Sequence, residues 1–169
     1  MRIIYVFIAC IFLGNLGAQD PPATYEEFEK QYKKNIRKTR INGVYIPKDL
    51  DDAFSQLEKR SEPEAINSFK IAPEDLVAKK LHFSLGRWMI YNWNFEEGSR
   101  ISHYLQELGL KDDDDKAQFL IVSFHRHLND IELQVEESIK ILVEARQKKL
   151  EKSQTRELLE TKPIPKEKS

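Results

Sequence analysis

Apolar residues recur every three or four positions along most of this chain, a spacing that predicts helices rather than strands. Thr24-x-x-Glu27 reads as a capping box opening a helix to about Lys38, with Tyr25, Phe28, Tyr32 and Ile36 set among charges. Asn42-Gly43 is a turn signal, followed by a short β-like Val44-Tyr45-Ile46. Pro47 then starts a helix through Leu50, Phe54 and Leu57, and Ser61 to Phe69 forms a shorter one. Glu74-Asp75 gives the next helix an acidic first turn, suited to the positive end of the helix dipole. Val77, Ala78, Leu81, Leu85, Trp88 and Met89 line one side of it, and Leu76, Phe83 and Ile90 the other. A helix apolar on both sides is expected at the centre of its domain.

Asn92 to Gly98 breaks the pattern. Ser99 caps a helix carrying Ile101, Tyr104, Leu105 and Leu108, and Gly109 ends it. Lys111 to Lys116 reads as a charged, solvated loop before a helix whose Ala117, Leu120, Ile121, Phe124 and Leu128 make one stripe. Asn129 or Asp130 caps a last helix with Ile131, Val135, Ile139 and Leu142 inward, and beyond Ala145 the stripe thins. The expected fold is all-α: a compact bundle of about six helices over 44–145, one short β-like segment near 44–46, a helical preface over 19–43, and a solvated helical tail over 146–169. His82, Leu85, Trp88, Asn92, Leu105, Leu120, Phe124 and Leu128 are its expected core.

The first 18 residues change the picture of where the protein works. Arg2, the apolar run Ile3 to Leu13, and the small residues before Gln19 have the layout of a signal peptide. The run is too short to span a bilayer of about 30 Å comfortably. Cleavage predicts an exported mature chain, periplasmic or extracellular, with no stable membrane span. Cys10, the single cysteine, would leave with the signal, so disulfides and cysteine metal sites are not expected.

Composition narrows the function classes. With 40% hydrophobic and 33% charged residues the chain can build a core. Lys plus Arg (27) nearly cancels Asp plus Glu (28), which argues against nucleic acid as a partner. His125 and His127 on one helix diverge by about 200° and cannot share an ion. Asp112 to Asp115 lack the spaced ligands and glycine of a calcium loop. They complete an enteropeptidase recognition string with Lys116, expected to be accessible. No metal, cofactor or catalytic residue is assigned.

Tyr45-Ile46-Pro47-Lys48-Asp49-Leu50-Asp51-Asp52-Ala53-Phe54 and Leu81-His82-Phe83-Ser84-Leu85-Gly86-Arg87-Trp88 carry a resemblance. Together with Asn92-Trp93, Gly98-Ser99-Arg100 and Ser123-Phe124-His125-Arg126-His127-Leu128-Asn129, they resemble an uncharacterised secreted or cell-envelope domain family of bacteria over roughly 44–130. The resemblance implies a domain boundary and a motif set, and no activity. After Trp93 such domains are often glycine- and tryptophan-rich; this chain has Asn94-Phe95-Glu96-Glu97 there.

Three functional readings stand side by side. One is an exported binding module for an envelope or extracellular protein or a small acidic ligand, with Arg100, His125 and Arg126 converging beside Trp93 as an apolar wall. A structural competitor pairs Arg100 or Arg126 with Glu96, Glu97 or Asp130. The second is a hydrolase using His125 or His82 with Glu96 or Glu97 as acid and base. The third is a structural envelope protein.

Overall fold

The computed structural model describes residues 24–160, and of 157–160 the backbone alone. The expected signal peptide, Cys10 and the Lys- and Pro-rich end lie outside the described residues. The chain runs α1 (Tyr25–Asn35), β1 (Arg40–Ile41), β2 (Val44–Tyr45), α2 (Leu50–Arg60), α3 (Pro63–Ile71) and α4 (Glu74–Leu81). A π-turn over His82–Gly86 leads into α5 (Arg87–Asn92), then α6 (Arg100–Glu107), α7 (Asp113–Leu128) and α8 (Val135–Glu160).

Local chemistry accounts for most boundaries. Thr24 caps α1 by accepting from the Glu27 amide at 3.2 Å. Asn42 (φ 49°) and Gly43 (φ 79°) take the left-handed pair that a tight hairpin turn requires, so β1 and β2 pair antiparallel. Asp49, not Pro47, starts α2: its carboxylate accepts from the Asp52 amide at 2.9 Å. Ser99 caps α6 by accepting from the Ser102 amide at 3.3 Å. Gly109 (φ 111°) ends that helix.

The hub of the bundle is α7, which packs against α2, α3, α4, the π-turn, α5, α6 and α8. Its buried residues Ala117, Phe119, Leu120, Ile121, Ser123, Phe124 and His125 point around the whole helix rather than along one stripe. The 74–92 segment, expected at the centre, lies to one side of it. Leu76 and Phe83 are exposed while Ile90 is buried, so the second apolar side dissolves. The π-turn is the reason. In a regular helix seven residues bring Phe83 and Ile90 to within about 20° of each other. One extra residue lodged in the turn rotates them apart by about 100°.

Leu105, Leu120 and Phe124 sit in the core as expected, whereas Leu85, Trp88 and Leu128 pack on its rim and His82 and Asn92 are half-buried. Trp93, fully buried, takes the central place expected for Trp88. Asn129 closes α7 rather than opening α8: its amide donates to the His125 and Arg126 carbonyls. Asp130 (φ 56°) and Gln134 (φ 48°) then turn the connector, which leaves Ile131 exposed.

The preface is docked. The Tyr32 hydroxyl lies 2.9 Å from His103 Nδ1, and buried Asn35 donates to the Glu97 carbonyl at 3.3 Å. The Tyr32 ring lies over Gly98 so closely that a Cβ there would stand 2.2 Å from Cδ2.

Candidate functional site

The aromatic corner at the end of α5 is a packed joint. Trp93 closes α5 with 0% exposure, and its ring meets Trp88 edge-on at 5.6 Å. Asn92 donates to the Trp88 carbonyl at 2.9 Å, and Asn94 (φ 53°) donates to the Gly98 carbonyl at 3.1 Å. Both asparagines hold the backbone where helix gives way to turn. Trp93 Nε1 has no hydrogen-bond partner among the described residues.

The four expected ligand residues do not form one open pocket. Trp93 is sealed inside the core and cannot wall a cleft. Arg100 donates to the Ile46 carbonyl and lays its guanidinium 5.4 Å from the Tyr45 ring centre, fastening α6 to the hairpin. His125, 5% exposed, donates from Nε2 to the Ala72 carbonyl at 2.8 Å and stands edge-on to Phe69. Arg126 grips both Glu74 carboxylate oxygens at 2.8 Å, then donates to the Leu133 carbonyl at 2.9 Å and Ser138 Oγ at 3.0 Å. One guanidinium thus joins α4, α7, the connector and α8. The Arg126 hydrogen bond, aided by its charge, holds the Glu74 carboxyl below its ordinary range, and the same bond raises Arg126. The competing expectation of a structural arginine describes Arg126, with Glu74 in place of Glu96, Glu97 or Asp130.

The acid–base pairings expected for a hydrolase are not assembled. His125 is bonded to a backbone carbonyl, His82 faces Asp114 at 3.4 Å, and Glu96 and Glu97 stand exposed. Two surface depressions, of about 540 and 480 Å³, run along α1 and along α8 and touch no histidine. Among the described residues no three His, Cys, Asp or Glu side chains gather to hold a metal.

The acidic run is not a loop. Asp112 caps α7 through its carboxylate, and Asp113 to Lys116 form the first turn, with Lys116 buried. Arg146 of α8 binds Asp112 and both oxygens of Asp115, which raises the Arg146 guanidinium above its ordinary value. The sequence held no spacing that linked positions 115 and 146.

The feature missed by sequence reasoning lies on the outer face of the π-turn. Phe83 and Tyr91 are each 81% exposed. Lys79 and Arg87 share that side, with side-chain exposures of 78% and 62%. The π-turn is what aligns them: eight residues in a regular helix leave Phe83 and Tyr91 about 80° apart, and the extra residue returns them to about 20°. Lys79, Phe83, Arg87 and Tyr91 therefore make one outward stripe, cation alternating with aromatic every four residues. Asp75 lies 3.7 Å from Lys79, and Asp114 lies 3.7 Å from Arg87. Only the helix irregularity could have signalled this, and no residue in Leu81 to Arg87 announces it.

The model of a domain of unknown function, DUF6794, matches residues 46–128. That span begins just after the second strand and ends with α7, so it holds the π-turn, the aromatic corner and the hub helix. The chain finds no match among curated proteins and none among solved structures.

Proposed function

We propose that this protein is an exported helical interaction module that works by contact with another macromolecule rather than by catalysis, and that the outward stripe of α4–α5 is its contact face. The observation that carries the reading is the pair of aromatic side chains, Phe83 and Tyr91, held in solvent by a π-turn. Exposing two aromatic rings forgoes the burial each could gain in the core, roughly 1.5–3 kcal/mol for a large apolar side chain. An irregular turn that directs them outward fits a binding role, since π-turns concentrate at functional sites. Export rests on the signal-like first 18 residues. Lys79 and Arg87 on the same stripe suit a partner that offers carboxylates or aromatic faces.

The test is a photoreactive phenylalanine analogue at position 83 or 91, with position 150 of α8 as an exposed control. Expressed with its leader in a host envelope, the chain should give discrete adducts from 83 and 91 and none from 150. Adducts at all three positions, or at none, would remove the basis for the stripe as a contact face.

A further inference from the structure

The four-residue alternation has a symmetry consequence. We propose that the partner of this face is a second copy of the chain, which packs its own α4–α5 stripe antiparallel across a two-fold axis near position 85. This rests on the reading of the stripe as a contact face. An isologous two-fold sets position 79 against 91 and position 83 against 87. Each Lys79 then meets Tyr91 of the other copy, and each Arg87 meets Phe83 of the other copy. Two cation–aromatic pairs arise twice, four in the dimer, with no cation facing a cation. Any other centre two residues away pairs Lys79 with Arg87 or stacks the set out of register, so the alternation selects this one.

Charge balance points the same way. Lys79, Lys80 and Arg87 stand against Asp75 and Asp114, both within ion-pair distance of the stripe. Two such faces approach with little net repulsion. An anionic bilayer would want cations free of acidic neighbours, and here two of the three have one. The exposed ion pairs are weak enough to reorient onto a facing ring. The face is one helix wide, so the contact is smaller than the roughly 800 Å² per partner of a standard interface. The dimer is therefore weak, forming above micromolar concentration.

Sedimentation equilibrium of the mature chain from about 10 µM to about 1 mM, a range chosen to bracket weak association, should show mass rising from monomer towards dimer. Phe83→Arg sets two cations against each other and should raise the dimer dissociation constant at least tenfold, with the circular dichroism spectrum unchanged because the site is exposed. Phe83→Arg combined with Arg87→Phe exchanges the order within the pair, and it should restore association. A monomer throughout, an unaltered dimer in Phe83→Arg, or no rescue in the exchanged variant overturns the proposal. Cross-links from position 83 to a protein of different mass, or flotation with phosphatidylglycerol vesicles, in a chain that stays monomeric would overturn self-pairing while leaving the contact face standing. An absence of both would end the two readings together.

Discussion

Arg126 was a candidate ligand residue in the sequence and is a four-bond clamp in the structure, so its replacement separates the two roles. Arg126→Met keeps most of the stem packing and deletes every donor. The Glu74 pair is bidentate, but the Glu74 side chain keeps 36% exposure and Arg126 17%, so solvent screening limits the pair to about 1 kcal/mol. The bonds to the Leu133 carbonyl and Ser138 Oγ are charge-assisted and half-buried, adding roughly another 1–2 kcal/mol together. The expected loss at pH 7 is about 2–3 kcal/mol, read as a lower urea midpoint at unchanged slope. Glu74→Gln should lose about 1 kcal/mol, and the double variant should reveal a coupling near 1 kcal/mol. The coupling also has a pH signature. Glu74 titrates lower in the folded chain than its ordinary value of 4.5, so its contribution is complete above that pH. It fades as pH falls through the lowered folded value. A loss under about 0.5 kcal/mol for Arg126→Met, or a coupling indistinguishable from zero at pH 7, would refute the clamp and return the guanidinium to the list of ligand groups.

Trp93→Ala should destabilise by about 3–5 kcal/mol, the cost of a cavity at a sealed aromatic, whereas half-buried Trp88→Ala should cost about 1–2 kcal/mol; urea melts giving the reverse order would mean the corner is packed the other way. Gly98→Ala should cost about 1–3 kcal/mol from the left-handed backbone (φ 83°), and more from the clash with Tyr32. Adding Tyr32→Ala should recover the clash part alone, and a Gly98→Ala chain as stable as the parent would contradict the close approach. Enteropeptidase should leave the native chain intact, because Lys116 lies 3% exposed inside α7 and Arg146 ties down the aspartates before it. Rapid cleavage under native conditions would show that the first turn of α7 opens.

Features that depend on neighbours within a turn or two were legible before any packing was known. Thr24 and Ser99 declare helix starts because a side-chain oxygen three residues before a free amide satisfies it whatever the rest of the chain does, whereas Pro47 drew the expected start of α2 away from its true cap, Asp49. Asn42-Gly43 declares a turn because few residues tolerate the left-handed pair, but the strand before it, Arg40–Ile41, shows only in its pairing with Val44–Tyr45. The all-α class follows from the repeated apolar spacing. Packing across the bundle settled everything else. It chose α7 as the hub, since only packing shows that Phe119 and Ser123 are buried along with the Leu120–Phe124 stripe. It buried Trp93 and left Trp88 at the rim, although both occur in one aromatic run. It joined Arg146 to Asp115 and Arg126 to Glu74 across 31 and 52 residues. Most of all it inserted the π-turn. A helical wheel assumes 100° per residue at every step, and one extra residue in one turn moves Phe83 from the side of Ile90 to the side of Tyr91. Periodicity carries no record of where that regular step fails, because the failure is set by how α4 and α5 both seat on α7.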